Sequence, residues 1–116
     1  MKIAEINKKS KIILPKEKGI WTKFVQLYIQ GTPYLRSGNI GEFHKDILDK
    51  TLMEFDLTIC NRDSYKNVGM GEIKNGGDVL YIWGRNESYS MSYNKEHLEK
   101  IFDCIPKELN VKFLSE

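Results

Sequence analysis

The sequence predicts an α/β or α+β domain, in which one mixed β-sheet carries two packed helices. Two observations lead there. Short runs of β-branched, aliphatic and aromatic residues at strand length are interleaved with two segments whose apolar residues recur at three and four. In addition, no repeat, low-complexity tract or linker divides the chain, so its 116 residues suit one core.

The elements follow in order. Residues 1–18 read as a basic arm or short edge strand, with Ile12-Ile13-Leu14 stopped by Pro15, and residues 19–116 as the domain proper. Trp21 to Ile29 is the first firm strand. Its apolar residues fall on both faces, as in the middle of a sheet, and Gly31-Thr32-Pro33 breaks it. A helix is predicted from Ile40 to Phe55. Its stripe is Ile40, Phe43, Ile47, Leu48, Leu52 and Phe55, and Asn39 with Glu42 forms a variant capping box.

Leu57 to Cys60 reads as a second strand and Asn61 to Asn67 as a polar loop leading to Gly69-Met70-Gly71-Glu72-Ile73. Asn75-Gly76-Gly77-Asp78 is a hairpin turn before a third strand, Val79 to Trp83, with Gly84 to Ser90 as its end or a loop. The second helix starts at the N-cap Asn94 and stops before Pro106, and Val111 to Leu114 is the last strand.

Composition narrows the function. A net charge of +2 argues against a nucleic-acid binder, whose basic excess is usually larger. The early lysines, Lys8-Lys9-Ser10-Lys11 and Lys16-Glu17-Lys18, read as a solvated arm. No apolar run is long enough for a membrane span, the first residues lack a signal-peptide pattern, and Cys60 and Cys104 fit no metal spacing or disulfide framework. The expectation is a reduced, cytoplasmic monomer without a cofactor.

Most motifs are weak. Gly69-x-Gly71 lacks the third glycine of a nucleotide fingerprint and reads as local geometry at a strand edge. Asp46 and Asp49 lie on one helix face, but two carboxylates without further ligands read as a solvated face, so no metal is expected. His97 reads as a surface residue, and Ser88, Ser90 and Ser92 have no recognisable activator.

His44 is different because it stands where the first helix begins, after a Gly-rich stretch. By pattern alone its ring is in solvent. Yet a helix N-terminus attracts anions and disfavours imidazolium, so an imidazole there stays neutral and able to take a proton or attack an electrophile. Three and four residues before Ile47 and Leu48, His44 also falls on the flank of the stripe, near the sheet.

The run Glu42-Phe43-His44-x-Asp46-Ile47-x-Asp49-Lys50 resembles the central motif of the phosphohistidine phosphatase (Janus/Ocnus) family. Arg36, Lys23, Gly69-Met70-Gly71 and Tyr81-Ile82-Trp83-Gly84 fall at matching places, so the resemblance runs from about residue 19 to 114. Two departures stand out: Asn86 replaces a family serine, and Glu72 stands where some relatives carry a base.

The resemblance implies the Janus/Ocnus fold and metal-independent hydrolysis of the P–N bond of a protein phosphohistidine. His44 would be general base or nucleophile, with Lys23, Lys45, Asn86, Glu87 and Ser88 contacting substrate. Arg36, Glu42 and Asp46 would stand behind them, Arg36 paired with Glu42 or Asp46. Asn86 and Glu72 motivate a second reading, a phosphate- or phosphoprotein-binding regulator on the same fold. A third, an RNA-binding module, rests only on the basic arm and the aromatics.

Overall fold

The computed structural model describes residues 11–86, 91–107 and 109–114. Among them a six-stranded sheet runs in the spatial order β1 (Ile12–Ile13), β3 (Thr32–Ser37), β2 (Trp21–Ile29), β4 (Tyr65–Asn75), β5 (Val79–Trp83) and β8 (Asn110–Leu114). The outer pairs β1/β3 and β5/β8 are parallel and the inner pairs antiparallel, so the sheet is mixed. A two-stranded ribbon, β6 (Arg85–Asn86) with β7 (Met91–Ser92), forms a second small sheet beside β4. The helices are α1 (His44–Met53) and α2 (Lys95–Lys100), the latter followed by a 3-10 turn at Phe102–Cys104. No helix of the described residues is long and apolar enough to cross a membrane.

The alternation in β2 explains the layers. Val25, Leu27 and Ile29 pack with Tyr34, Met70 and the α1 residues Ile47 and Leu52. Phe24, pointing the other way, packs with Leu35, Ile73, Leu80, Ile82 and the α2 residues Leu98 and Ile101. The helices therefore cover opposite faces of a central strand. Each buried aliphatic side chain contributes about 1.5–3 kcal/mol relative to exposure.

Several expectations need correction. Thr32 and Pro33, read as part of a break, instead open strand β3, which runs to Ser37. Pro33 is tolerated there because the Leu35 N–H points to the β1 side, bonding the Lys11 carbonyl at 2.8 Å. The missing N–H of Pro33 faces that same side, beyond the reach of β1. Leu57 to Cys60 is not a strand. Asn61 accepts from the Thr58 N–H at 2.8 Å and folds the segment into a turn instead. Strand β4 begins at Tyr65, inside the expected polar loop. It absorbs Val68 as a bulge, since Gly69 pairs with Gln26 and Asn67 with Leu27.

Helix α1 starts at His44 rather than Ile40. Gly41 has φ 85, which no helical turn accommodates. The predicted Asn39–Glu42 pair does form, with the Asn39 N–H donating to Glu42 Oε1 at 2.6 Å, but it closes the turn before the helix. The N-cap is Phe43, whose N–H donates to Asp46 Oδ2 at 3.0 Å. Asn94 does cap α2, accepting from the His97 N–H at 2.9 Å.

Candidate functional site

The site is built where the start of α1 meets the β2/β4 ladder. Gly38 permits this approach, because a Cβ there would lie 2.6 Å from Ile47 Cδ1. The His44 ring thereby reaches the sheet. It is only 6% exposed, which corrects the solvent-facing orientation expected from pattern. Its Nε2 lies 2.9 Å from the Gly71 carbonyl. A carbonyl only accepts, so Nε2 carries the proton and the lone pair of the neutral ring is on Nδ1.

Gly71 is a glycine for a steric reason. A Cβ would stand 2.5 Å from the Trp83 carbonyl and 2.8 Å from the Gly84 Cα, pushing β4 away from the end of β5.

Two charges face each other beside this ring. Lys23 and Glu72 are cross-strand partners on β2 and β4, on the face that α1 covers. Burial holds the His44 pKa below the usual imidazole value; Lys23 lowers it further, and the Gly71 bond and Glu72 act in opposition. Lys23 also lies 5.6 Å from the ring centroid of Phe43, which is 67% exposed at the helix start.

A cavity of about 440 Å³ opens on the other flank of His44. Leu48, Ile59 and Met70 give it apolar walls, Tyr65 and Asn67 line it from β4, and the exposed Lys45 and Arg62 supply two cations, with no lining carboxylate among the described residues. The loop that forms its far wall is pinned, because the Tyr65 hydroxyl donates to the Ile59 carbonyl at 2.9 Å.

The remaining predicted residues divide. Lys23 acts by its charge on the His44 ring, and Lys45 lines the cavity beside it. Arg36 does not join them; its partner is neither Glu42 nor Asp46 but Glu54, at 2.6 Å near the far end of α1. Glu42 instead pairs with Lys50 at 2.8 Å, and its pKa is lowered by the Asn39 N–H first and by Lys50 second. Asp46 serves the N-cap of α1. Asn86 lies in β6 at the end of the ribbon beside β4, whereas Glu87 and Ser88 lie outside the described residues. No cluster of three or more His, Cys, Asp or Glu able to hold a metal occurs among the described residues.

His97 corrects a second expectation, being fully buried rather than a surface residue. Sequence reasoning also missed the Gly71 carbonyl as the anchor of His44, and it missed the wall formed by Ile59, Arg62, Tyr65 and Asn67. The Gly69-x-Gly71 spacing, read as strand-edge geometry, was the one sequence feature pointing to that anchor.

No known family model matches this chain, and no curated protein aligns with it.

Proposed function

We propose that this protein is a phosphohistidine phosphatase that hydrolyses the P–N bond without a metal, with His44 as general base or nucleophile through Nδ1. The observation that carries the reading is the buried, neutral imidazole fixed through Nε2 on the Gly71 carbonyl, with the Lys23 ammonium acting on it. A neutral ring accepts a proton from water or attacks phosphorus directly, which an imidazolium cannot do. Lys23, Lys45 and the N-terminal amides of α1 offset the charge of the phosphoryl oxygens. Asn86 takes the serine position as a hydrogen-bond donor. Arg36, Glu42 and Asp46 support the helix and the turn before it without touching substrate.

One observation favours the second reading, a phosphate-binding regulator. Glu72 is the cross-strand partner of Lys23, and its carboxylate counters the charge that Lys23 offers to an anion. Phosphate release from a phosphohistidine peptide, measured in EDTA, separates the two. Turnover that disappears in a folded His44→Ala variant supports the phosphatase. Binding of the phosphopeptide without turnover by the wild type supports the regulator, and turnover that survives His44→Ala removes His44 from the mechanism.

A further inference from the structure

The cavity beside His44 has a feature that phosphate recognition leaves unexplained. Asn67 lines it from β4, and its Oδ1 is buried without a hydrogen-bond partner among the described residues. A buried amide oxygen left unpaired is costly, so an occupant that satisfies it is favoured. No bond of that oxygen has to break for the amide to turn toward the cavity. Around it, Leu48, Ile59 and Met70 offer apolar surfaces suited to a flat ring, while Lys45 and Arg62 stand exposed at the rim. The cavity thus suits a planar group with one N–H donor, attached to an anion held outside it.

Resting on the phosphatase reading above, we infer that this cavity binds the imidazole of the substrate phosphohistidine, with Asn67 Oδ1 accepting the N–H of its unphosphorylated ring nitrogen. The consequence is chemical. The P–N bond breaks with its electron pair returning to the phosphorylated nitrogen. If the other nitrogen already carries a proton, so that the phosphorylated ring is a cation, the ring departs as neutral imidazole rather than as imidazolate. Oxygen from water, or His44 Nδ1 in a two-step route, forms the new bond to phosphorus. In the direct route His44 takes the water proton, so phosphate, neutral imidazole and protonated His44 account for every atom and charge. Asn67 is then a substrate-binding residue that selects the leaving group, a role separate from holding phosphate.

The test compares a phosphohistidine peptide with phosphoramidate, which has no ring, using wild type, Asn67→Leu and Asn67→Thr. Asn67→Leu removes the acceptor at similar size, and Asn67→Thr keeps an oxygen on a residue that suits a strand. The expected result is a loss of about ten- to a hundred-fold in kcat/KM on the peptide for Asn67→Leu, a smaller loss for Asn67→Thr, and phosphoramidate turnover within about two-fold of wild type for both. Equal losses on the two substrates, or no loss on the peptide, overturn the inference. Wild-type turnover of phosphoramidate but not of the peptide overturns it together with the phosphohistidine part of the phosphatase reading. If the wild type turns over neither, that reading fails. The cavity is then judged by binding of a peptide with a non-hydrolysable azole phosphonate: weaker binding by Asn67→Leu upholds it and unchanged binding overturns it.

Discussion

Gln26 and His97 fix each other at the join between β2 and α2. The Gln26 Nε2 donates to His97 Nδ1 at 3.2 Å and to the Asn94 carbonyl at 2.8 Å, while its Oε1 accepts the Asn94 N–H at 2.7 Å. His97 Nε2 in turn donates to the Leu27 carbonyl at 3.0 Å, so one tautomer satisfies every partner. Gly69 leaves room for this network, since a Cβ there would lie 2.4 Å from Gln26 Oε1.

The first prediction concerns that network. His97→Leu removes both ring hydrogen bonds and leaves the Leu27 carbonyl and the Gln26 amide short of a buried partner. The expected loss is about 2–4 kcal/mol in urea unfolding. A loss below about 0.5 kcal/mol would show that the network adds nothing to stability.

Both histidines make stability depend on pH. Burial is the largest cause lowering each pKa below 6.5, for His44 and His97 alike. The unfolded chain therefore binds protons that the folded chain refuses. Stability is full above 6.5 and declines as pH falls through the lower folded values. The urea midpoint is expected to fall between about pH 7 and pH 5, and His97→Leu to flatten that fall. A midpoint that held steady or rose on acidification would contradict the buried neutral state.

Arg36 supplies a third prediction. Its side chain is 2% exposed and that of Glu54 22%, so losing the Glu54 carboxylate takes an opposite charge away from a guanidinium buried in the core. Glu54→Gln is expected to cost an amount near the lower end of about 3–5 kcal/mol. A double change of Arg36→Met with Glu54→Leu should recover much of that loss, because the burial penalty goes with the charges. Equal instability of the single and double variants would reject this account.

The sheet and both helices were legible because their signals are periodic. Trp21–Ile29 and Val79–Trp83 carry enough apolar and β-branched residues for the strands to be bounded correctly from the sequence. The missed strand β3 contains Pro33, whose harmlessness depends on which neighbour its nitrogen faces, a property of the assembled sheet. The start of α1 was misplaced because Asn39 and Glu42 make the same hydrogen bond in a turn as in a capping box.

The site divides similarly. His44 stood out through its position in the helix, whereas its anchor is a backbone carbonyl, which every residue has. His97 looked exposed because nothing local in its sequence announces Gln26 or Leu27, about seventy residues away, as partners. Glu42 and Asp46 are the acids nearer to Arg36 in the sequence, but the strand-to-helix packing brings Glu54 to it.

The last prediction tests whether Lys23 and Glu72 tune His44 in opposite senses. Lys23 disfavours imidazolium and Glu72 favours it, with burial the larger influence on that ring. Lys23→Met is therefore expected to raise the His44 pKa, and Glu72→Gln to lower it. His97 is an internal control, because neither residue is among the charges that shift it. Following the two ring Cε1–H signals by NMR through an acid titration separates the histidines directly. In the phosphatase reading, Lys23→Met also moves the acidic limb of kcat/KM upward, since free enzyme must hold His44 neutral. Shifts of the same sign in both variants would show that the charges act on His44 through a change of packing, and the opposed pair would lose its role in setting the base.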